Sequence, residues 1–239
     1  MPWIRGVLFY ALYGPGMVVY TTLFLVLGPL LTARSRHALA QRLAGAILTT
    51  ARTVAGIRYR IHGRENLPDT PCVVCANHES AWETYLLGWL IQPQSAVLKK
   101  ELLAIPFYGW AVRHLAPIAI DRNRPTTAIK QLLRQGSEAL KAGRWVVIYP
   151  EGTRVRPGET VRYNKGAASL AIRNGVPIVP VAHNAGDCWP RGTVAKYPGT
   201  VQVVLGPPIP TQGRRPDDVM ADVESWIRKT RNGLSARPS

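Results

Sequence analysis

Residues 71–84 read Pro-Cys-Val-Val-Cys-Ala-Asn-His-Glu-Ser-Ala-Trp-Glu-Thr, and the period of the chain changes inside this stretch. Cys72 to Ala76 is a short run of small apolar and β-branched residues, the composition of a buried strand. It stops at Asn77-His78, and a helix-like stretch from Ala81 to Leu90 follows at once. A histidine therefore stands where a strand hands over to a helix, the end of an open α/β sheet at which ligands bind. Glu83 lies five residues on. On a continuous helix five steps turn about 140° away from His78, outside the same-face spacings of three and four. His78 and Glu83 can meet only if His78 precedes the helix and Glu83 lies in its first turn.

Two readings of this pair stand side by side. An imidazole titrating near neutrality can take a proton from a hydroxyl, and a carboxylate behind it fixes the tautomer and stabilises the imidazolium. That is the base-and-orienter half of a triad, with the substrate bringing the hydroxyl. Equally, Ser80-x-x-Glu83 is a capping box that would only secure a helix start.

Asn77-His78-Glu79-Ser80-Ala81-Trp82-Glu83 resembles the His-x4-Asp motif of the glycerolipid acyltransferases, the group that contains the bacterial 1-acyl-glycerol-3-phosphate acyltransferases. The chain departs from the usual form by placing Glu83 where that family has Asp. Three further blocks follow in the family's order: Ala119-Ile120-Asp121-Arg122, Tyr149-Pro150-Glu151-Gly152-Thr153-Arg154, and Val176-Pro177-Ile178-Val179-Pro180-Val181. The resemblance covers about residues 60–210. It implies catalysis by His78 and Glu83, and a substrate-phosphate site made from Lys99 or Lys100, Arg122, and the block Glu151, Gly152, Thr153 and Arg154. Arginine suits that task through its fixed fork of donors, and Gly152 through close backbone approach to an anion.

The 239 residues suit one domain with an appendage. Thirty Lys and Arg against 14 Asp and Glu give a net charge of +16 and a pI near 10.4, which calls for acidic partners. Eight arginines, no lysine and no acidic residue lie in the first 64 positions, beside the most apolar stretch of the chain. Charge and grease together point to an anionic phospholipid membrane rather than nucleic acid, for which no motif is present. Cys72-x-x-Cys75 has half a metal-site spacing, but no second pair follows. Adjacent to the dyad and on opposite strand faces, the two are read as core, with no metal. Three cysteines without a framework suit a reducing compartment.

Val7 to Ala33 carries no charge, and as one helix would measure about 40 Å. Gly14-Pro15-Gly16 is expected to break it, which favours a segment that dips into one leaflet, with a single spanning helix as the alternative. Arg34 to Ala55 reads as an amphipathic helix at the interface, or alternatively as an ordinary layer of the domain. Strands are expected at 57–62, 72–76, 96–98, 117–120, 145–149, 176–182 and 201–205, and Pro177 with Pro180 argues for an edge or irregular strand in the sixth. Helices are expected at 126–142, 165–174 and 216–230, with Gly143 and Gly175 as stops. The aromatic turn at 105–110 reads as packing, or alternatively as a lining of the acyl or glycerol site; His62 reads as exposed and His183 as structural.

The expected fold is α/β, a mixed central sheet of about seven strands flanked by helices, preceded by an N-terminal membrane-associating helical segment. The expected division is 1–56 membrane-associating helices, 57–231 catalytic domain, and 232–239 a loose tail. The resemblance implies acyl transfer from acyl-CoA or acyl-carrier protein to the sn-2 hydroxyl of 1-acyl-sn-glycerol 3-phosphate (lysophosphatidate), forming phosphatidic acid. It implies no cofactor, no acyl-enzyme, and a place at the inner (cytoplasmic) membrane with the catalytic domain on the cytoplasmic face. Two alternatives stand beside it: the same chemistry on another lysolipid such as an aminolipid, or a non-catalytic basic protein binding membranes or nucleic acid.

Overall fold

A computed structural model describes residues 1–234. Two helices open the chain, α1 (Pro2–Leu27) and α2 (Ala33–Thr53), before the first strand, β1 (Ile57–His62). Then come β2 (Val73–Ala76), α3 (Trp82–Leu90), β3 (Gln94–Lys99), α4 (Tyr108–Arg113), β4 (Ile118–Ile120) and α5 (Pro125–Lys141). The rest is β5 (Trp145–Ile148), α6 (Gly166–Asn174), β6 (Ile178–His183), α7 (Ala185–Cys188), β7 (Gly199–Leu205) and α8 (Pro216–Asn232).

The seven strands form one mixed sheet in the order β1-β7-β6-β2-β5-β3-β4. All neighbours run parallel except β6 and β7. Strand alternation sends side chains to two cores. Cys72, Val74 and Ala76 join Phe9, Ile47, Leu48, Trp82 and Leu86 on the face covered by α1, α2 and α3. Val73 and Cys75 join Leu132, Leu170, Val223 and Ile227 under α5, α6 and α8 on the other. Cys72 and Cys75 thus point to opposite cores, and burial pushes the Cys72 thiol up to about 12. Gly143 and Gly175 close α5 and α6 at φ of 72° and 64°, left-handed positions that favour glycine.

Three expectations are corrected. The Gly14-Pro15-Gly16 triplet does not break the first helix: α1 runs unbroken through Pro15, about 39 Å long. Proline removes only one helical hydrogen bond, and the flanking Gly14 and Gly16 stand in open space, with no packing for a distortion to disturb. Strand β6 is interior, not an edge. The Pro180 carbonyl accepts from Gly206 N–H (2.8 Å) on the β7 side, where its own missing N–H also falls. The antiparallel ladder with β7 is registered from Val181 on, so the missing N–H falls at the end of the ladder and its interior bonds stay intact. The aromatic turn is not packed: Ile105, Phe107, Tyr108 and Trp110 are exposed, because the six-residue α4 buries only Gly109 and Ala111.

Helix α2 is a layer of the domain. Its Ala44, Ile47, Leu48 and Ala51 are buried, and Gln41 donates to the Trp89 carbonyl of α3 (2.7 Å). Helix α1 docks at both ends. Near its start, Pro2 accepts from Lys196 N–H (3.0 Å) and Gly6 lies against the Val194 carbonyl. Near its end, the Phe24 ring meets His114 (6.0 Å between centroids). The Lys196 ammonium is wholly buried over the rings of Tyr10 (4.5 Å) and Trp189 (4.9 Å), and burial pushes it down to about 8. The tail read over 232–239 lies, from Ser235 on, outside the described residues.

Candidate active site

Parallel strands bring the chain out of the sheet repeatedly at one edge, the carboxyl ends of β2, β3, β4, β5 and β6. His78 follows β2, Lys99 ends β3, Asp121-Arg122 follows β4, Glu151 to Arg154 follows β5, and His183 ends β6. The blocks that stand apart in sequence therefore meet along one rim, the expected place for a ligand in such a sheet.

His78 Nδ1 lies 2.7 Å from Glu83 Oε1. The same carboxylate oxygen accepts the backbone N–H groups of Glu79 (3.1 Å) and Ser80 (2.9 Å). The two readings of Glu83 are thus one arrangement, in which the carboxylate holds the backbone entering α3 and also the imidazole. Glu83 is wholly buried. Burial pushes its carboxyl up, but nearby His183, the His78 bond and the Ser80 N–H outweigh that and hold it below the usual range. A carboxylate there makes Nδ1 the protonated ring nitrogen, which leaves Nε2 unprotonated and able to act as a base. Tyr149 stacks on the imidazole, centroids 4.1 Å apart and planes 21° from parallel. The sequence carried no signal for that support beyond the position of Tyr149 at the end of a strand.

Glu151 is a support rather than a surface charge. Its Oε2 accepts the His78 backbone N–H (2.8 Å) and its Oε1 the Tyr163 hydroxyl (3.3 Å). Burial pushes it up to about 7, the His78 and Tyr163 hydrogen bonds pulling the other way and the nearby Glu79 and Glu83 adding to the rise. Gly152 takes φ 71°, its N–H donating to the Tyr149 carbonyl (3.0 Å) and its carbonyl accepting from Arg122. The second and third blocks are thereby tied together. Thr153 and Arg154 are exposed, and the Arg154 guanidinium has no ion-pair partner among the described residues. Arg191, which the sequence did not single out, donates to the Arg154 carbonyl.

The two lysines part company. Lys100 Nζ pairs with Asp121 Oδ2 at 2.6 Å, and that hydrogen bond holds the Asp121 carboxyl below its usual range. Lys99 meets Glu101 at 3.8 Å. His183 is buried and structural, its N–H donating to Asn77 Oδ1 (3.0 Å) and its Nε2 lying 2.7 Å from the Asn77 carbonyl. His62 is exposed and bonds Gln202 (3.0 Å).

The arrangement provides a supported base, an orienting carboxylate and a rim of guanidinium groups suited to an anion. Residues 58–184 match the family described as Acyltransferase. The chain is 44% identical over 236 residues to the 1-acyl-sn-glycerol-3-phosphate acyltransferase of Pseudomonas aeruginosa, covering 97% of this chain and 92% of that protein. It is 32% identical over 198 residues to the human 1-acyl-sn-glycerol-3-phosphate acyltransferase alpha, covering 81% of this chain and 69% of that one. Its fold is similar to the crystal structure of the 1-acyl-sn-glycerophosphate (LPA) acyltransferase, PlsC, from Thermotoga maritima. The TM-score is 0.82 at 24% identity, covering 100% of this chain and 98% of that chain.

Proposed function

This chain belongs to the acyltransferase family, and from that premise we propose that His78 is the base and Arg154 the main phosphate ligand of a lysophosphatidate acyltransferase. The reaction is acyl transfer to the sn-2 hydroxyl of 1-acyl-sn-glycerol 3-phosphate, giving phosphatidic acid. The observation that carries this reading is the 2.7 Å His78–Glu83 contact at the carboxyl rim of the sheet.

His78 Nε2 takes the proton of the acceptor hydroxyl as its oxygen attacks the thioester carbonyl, and Glu83 stabilises the imidazolium that forms. The tetrahedral intermediate collapses by breaking the C–S bond. The departing thiolate leaves as the thiol with the proton from His78, so the base is restored and no acyl-enzyme forms. The activated carbonyl arrives on the donor, acyl-CoA or acyl-carrier protein, and the step uses no cofactor. Arg154 holds the acceptor phosphate with Arg122 beside it and Lys99 as the freer lysine, since Lys100 is engaged by Asp121.

Helix α1 is proposed to lie in one leaflet of the inner membrane, on its cytoplasmic face, where acyl donors are made. Residues Pro2–Leu30 are long and apolar enough to cross a membrane by length and composition. Yet contacts near both ends of α1 bind it to the domain, which favours a helix lying along the surface. Its exposed Ile4, Leu8, Leu12, Val19, Leu23 and Val26 recur at helical spacing and would enter the acyl layer.

The test is transfer of a labelled acyl group to lysophosphatidate. His78→Ala should lower turnover at least about a hundredfold with the melting temperature kept, by loss of general-base catalysis. Arg154→Ala should mainly raise KM for the acceptor, by about tenfold for a lost charged phosphate contact. Activity surviving in His78→Ala removes it as the base, and an unchanged KM removes Arg154 from the phosphate site.

A further inference from the structure

The C-terminal helix reaches the catalytic loop. Arg231, in the last turn of α8, donates from Nε to Glu79 Oε1 (2.6 Å) and from Nη2 to Glu79 Oε2 (3.2 Å), a bidentate grip. The same Nη2 donates to Asp187 Oδ1 of α7 (2.8 Å). Glu79 is the residue next to His78, and its carboxylate is buried. It also accepts from Asn77 Nδ2 (3.2 Å) and from Gly186 N–H (3.2 Å). Consecutive side chains thus leave the loop toward different elements: His78 to Glu83 and Tyr149, Glu79 to α7 and α8.

One turn earlier, Arg228 stacks over the Tyr163 ring (5.6 Å), and Tyr163 donates to Glu151, which holds the His78 N–H. A cavity of about 100 Å³ lies behind the loop, lined by Asn77, Glu79, Glu151, Tyr163, Arg228 and Arg231. Glu151, which accepts the His78 N–H, and Glu79, the residue joined to His78 in the chain, are therefore both met from α8, one through the Tyr163 ring and the other directly. An ordinary surface ion pair has no such partners: it is solvated, single and worth little. Here a fork of donors fixes the carboxylate's plane as well as its place.

We propose that Arg231 is a positioning residue: by clasping Glu79 against α7 it sets the backbone of residues 77–79, and with it the aim of His78. The proposal rests on the reading of His78 as the base. Misaiming a base costs turnover rather than affinity. Loss of the clasp should therefore lower kcat and leave KM for the acceptor near its original value.

The experiment uses the full chain in detergent, with Arg231→Met, Arg231→Lys, Glu79→Gln and the Glu79→Gln/Arg231→Met pair. For each, kcat, KM and the melting temperature are measured, together with amide hydrogen exchange of the peptide containing residues 77–80. Arg231→Met should lower kcat about tenfold or more with KM changed less than about twofold, as small displacements of catalytic groups do. Arg231→Lys should recover part of the loss. The double variant should be no worse than Arg231→Met, since the two act through one contact. Exchange at 77–80 should rise in Arg231→Met. Glu79→Gln keeps the shape of the site and carries the test if Arg231→Met does not fold. A kcat within about twofold of the original in a folded variant, even with a lowered melting temperature, would make Arg231 scaffold and overturn the proposal. If the unmodified protein acylates no lysolipid, the proposed reaction fails instead, while hydrogen exchange still decides whether Arg231 restrains the loop.

Discussion

Glu83 accepts three donors on one oxygen, His78 Nδ1 and two backbone N–H groups. Glu151 plays the complementary part on the His78 backbone, and its burial has a consequence for pH. Its folded value of about 7 lies above the ordinary 4.5. A carboxyl raised in this way favours folding when protonated, so its contribution is whole below the ordinary value and is lost as pH rises through about 7. Between about pH 5 and pH 8 the protein should therefore lose stability that Glu151→Gln does not lose. Denaturant midpoints measured across that range check it, and parallel curves for the two proteins would remove Glu151 as a buried titrating group.

At the scale of elements, the docking of α1 depends on one close approach. A Cβ added at Gly6 would run into the Val194 carbonyl oxygen, a backbone atom that cannot rotate away. The loop carrying Val194 is fixed in turn by Lys196, buried between Tyr10 and Trp189 with its ammonium on the Val194 carbonyl (3.0 Å). Gly6→Ala should therefore lift the start of α1 and cost about 1–3 kcal/mol, the usual range for overpacking. Calorimetry or chemical denaturation would measure this, and a neutral substitution would mean that α1 is loosely held. Behind Trp189 the contact continues: Tyr13 and Tyr85 share a hydroxyl–hydroxyl bond (2.5 Å), and Tyr85 lies on α3 beyond Glu83. The apolar helix is thus packed on the same helix that carries the orienting carboxylate.

At the scale of the whole molecule, a net charge of +16 and an apolar stripe on α1 act together. Binding to vesicles of phosphatidylcholine with about a third anionic lipid should weaken as salt rises from about 0.1 to 0.5 M, because exposed charges are screened. It should not vanish, because the stripe remains. Leu8→Asp/Leu12→Asp, both on the exposed side of α1, should remove at least about tenfold of the binding left at high salt. Sedimentation of the protein with vesicles measures both effects. Binding that the double variant leaves unchanged would place the membrane contact elsewhere on the surface.

The sequence by itself determined the alternation of strands and helices and the strand-to-helix handover at His78, while the resemblance alone singled out Arg122, Glu151 and Arg154, which the fold brings to the same rim. These were legible because periodicity and caps are set by neighbours within a turn, and because the blocks are short contiguous strings. The tertiary structure decided what depends on chain closure. Glu83 serves imidazole and backbone at once only because β2 ends where it does. Pro180 sits inside the sheet because its missing N–H falls at the end of the ladder with β7. Helix α1 stays whole through Pro15, docked at both ends. Arg231 meets Glu79 across 152 residues. No local pattern encodes such a partner, since the burial and geometry that give the contact its strength exist only once the sheet and its helices have assembled.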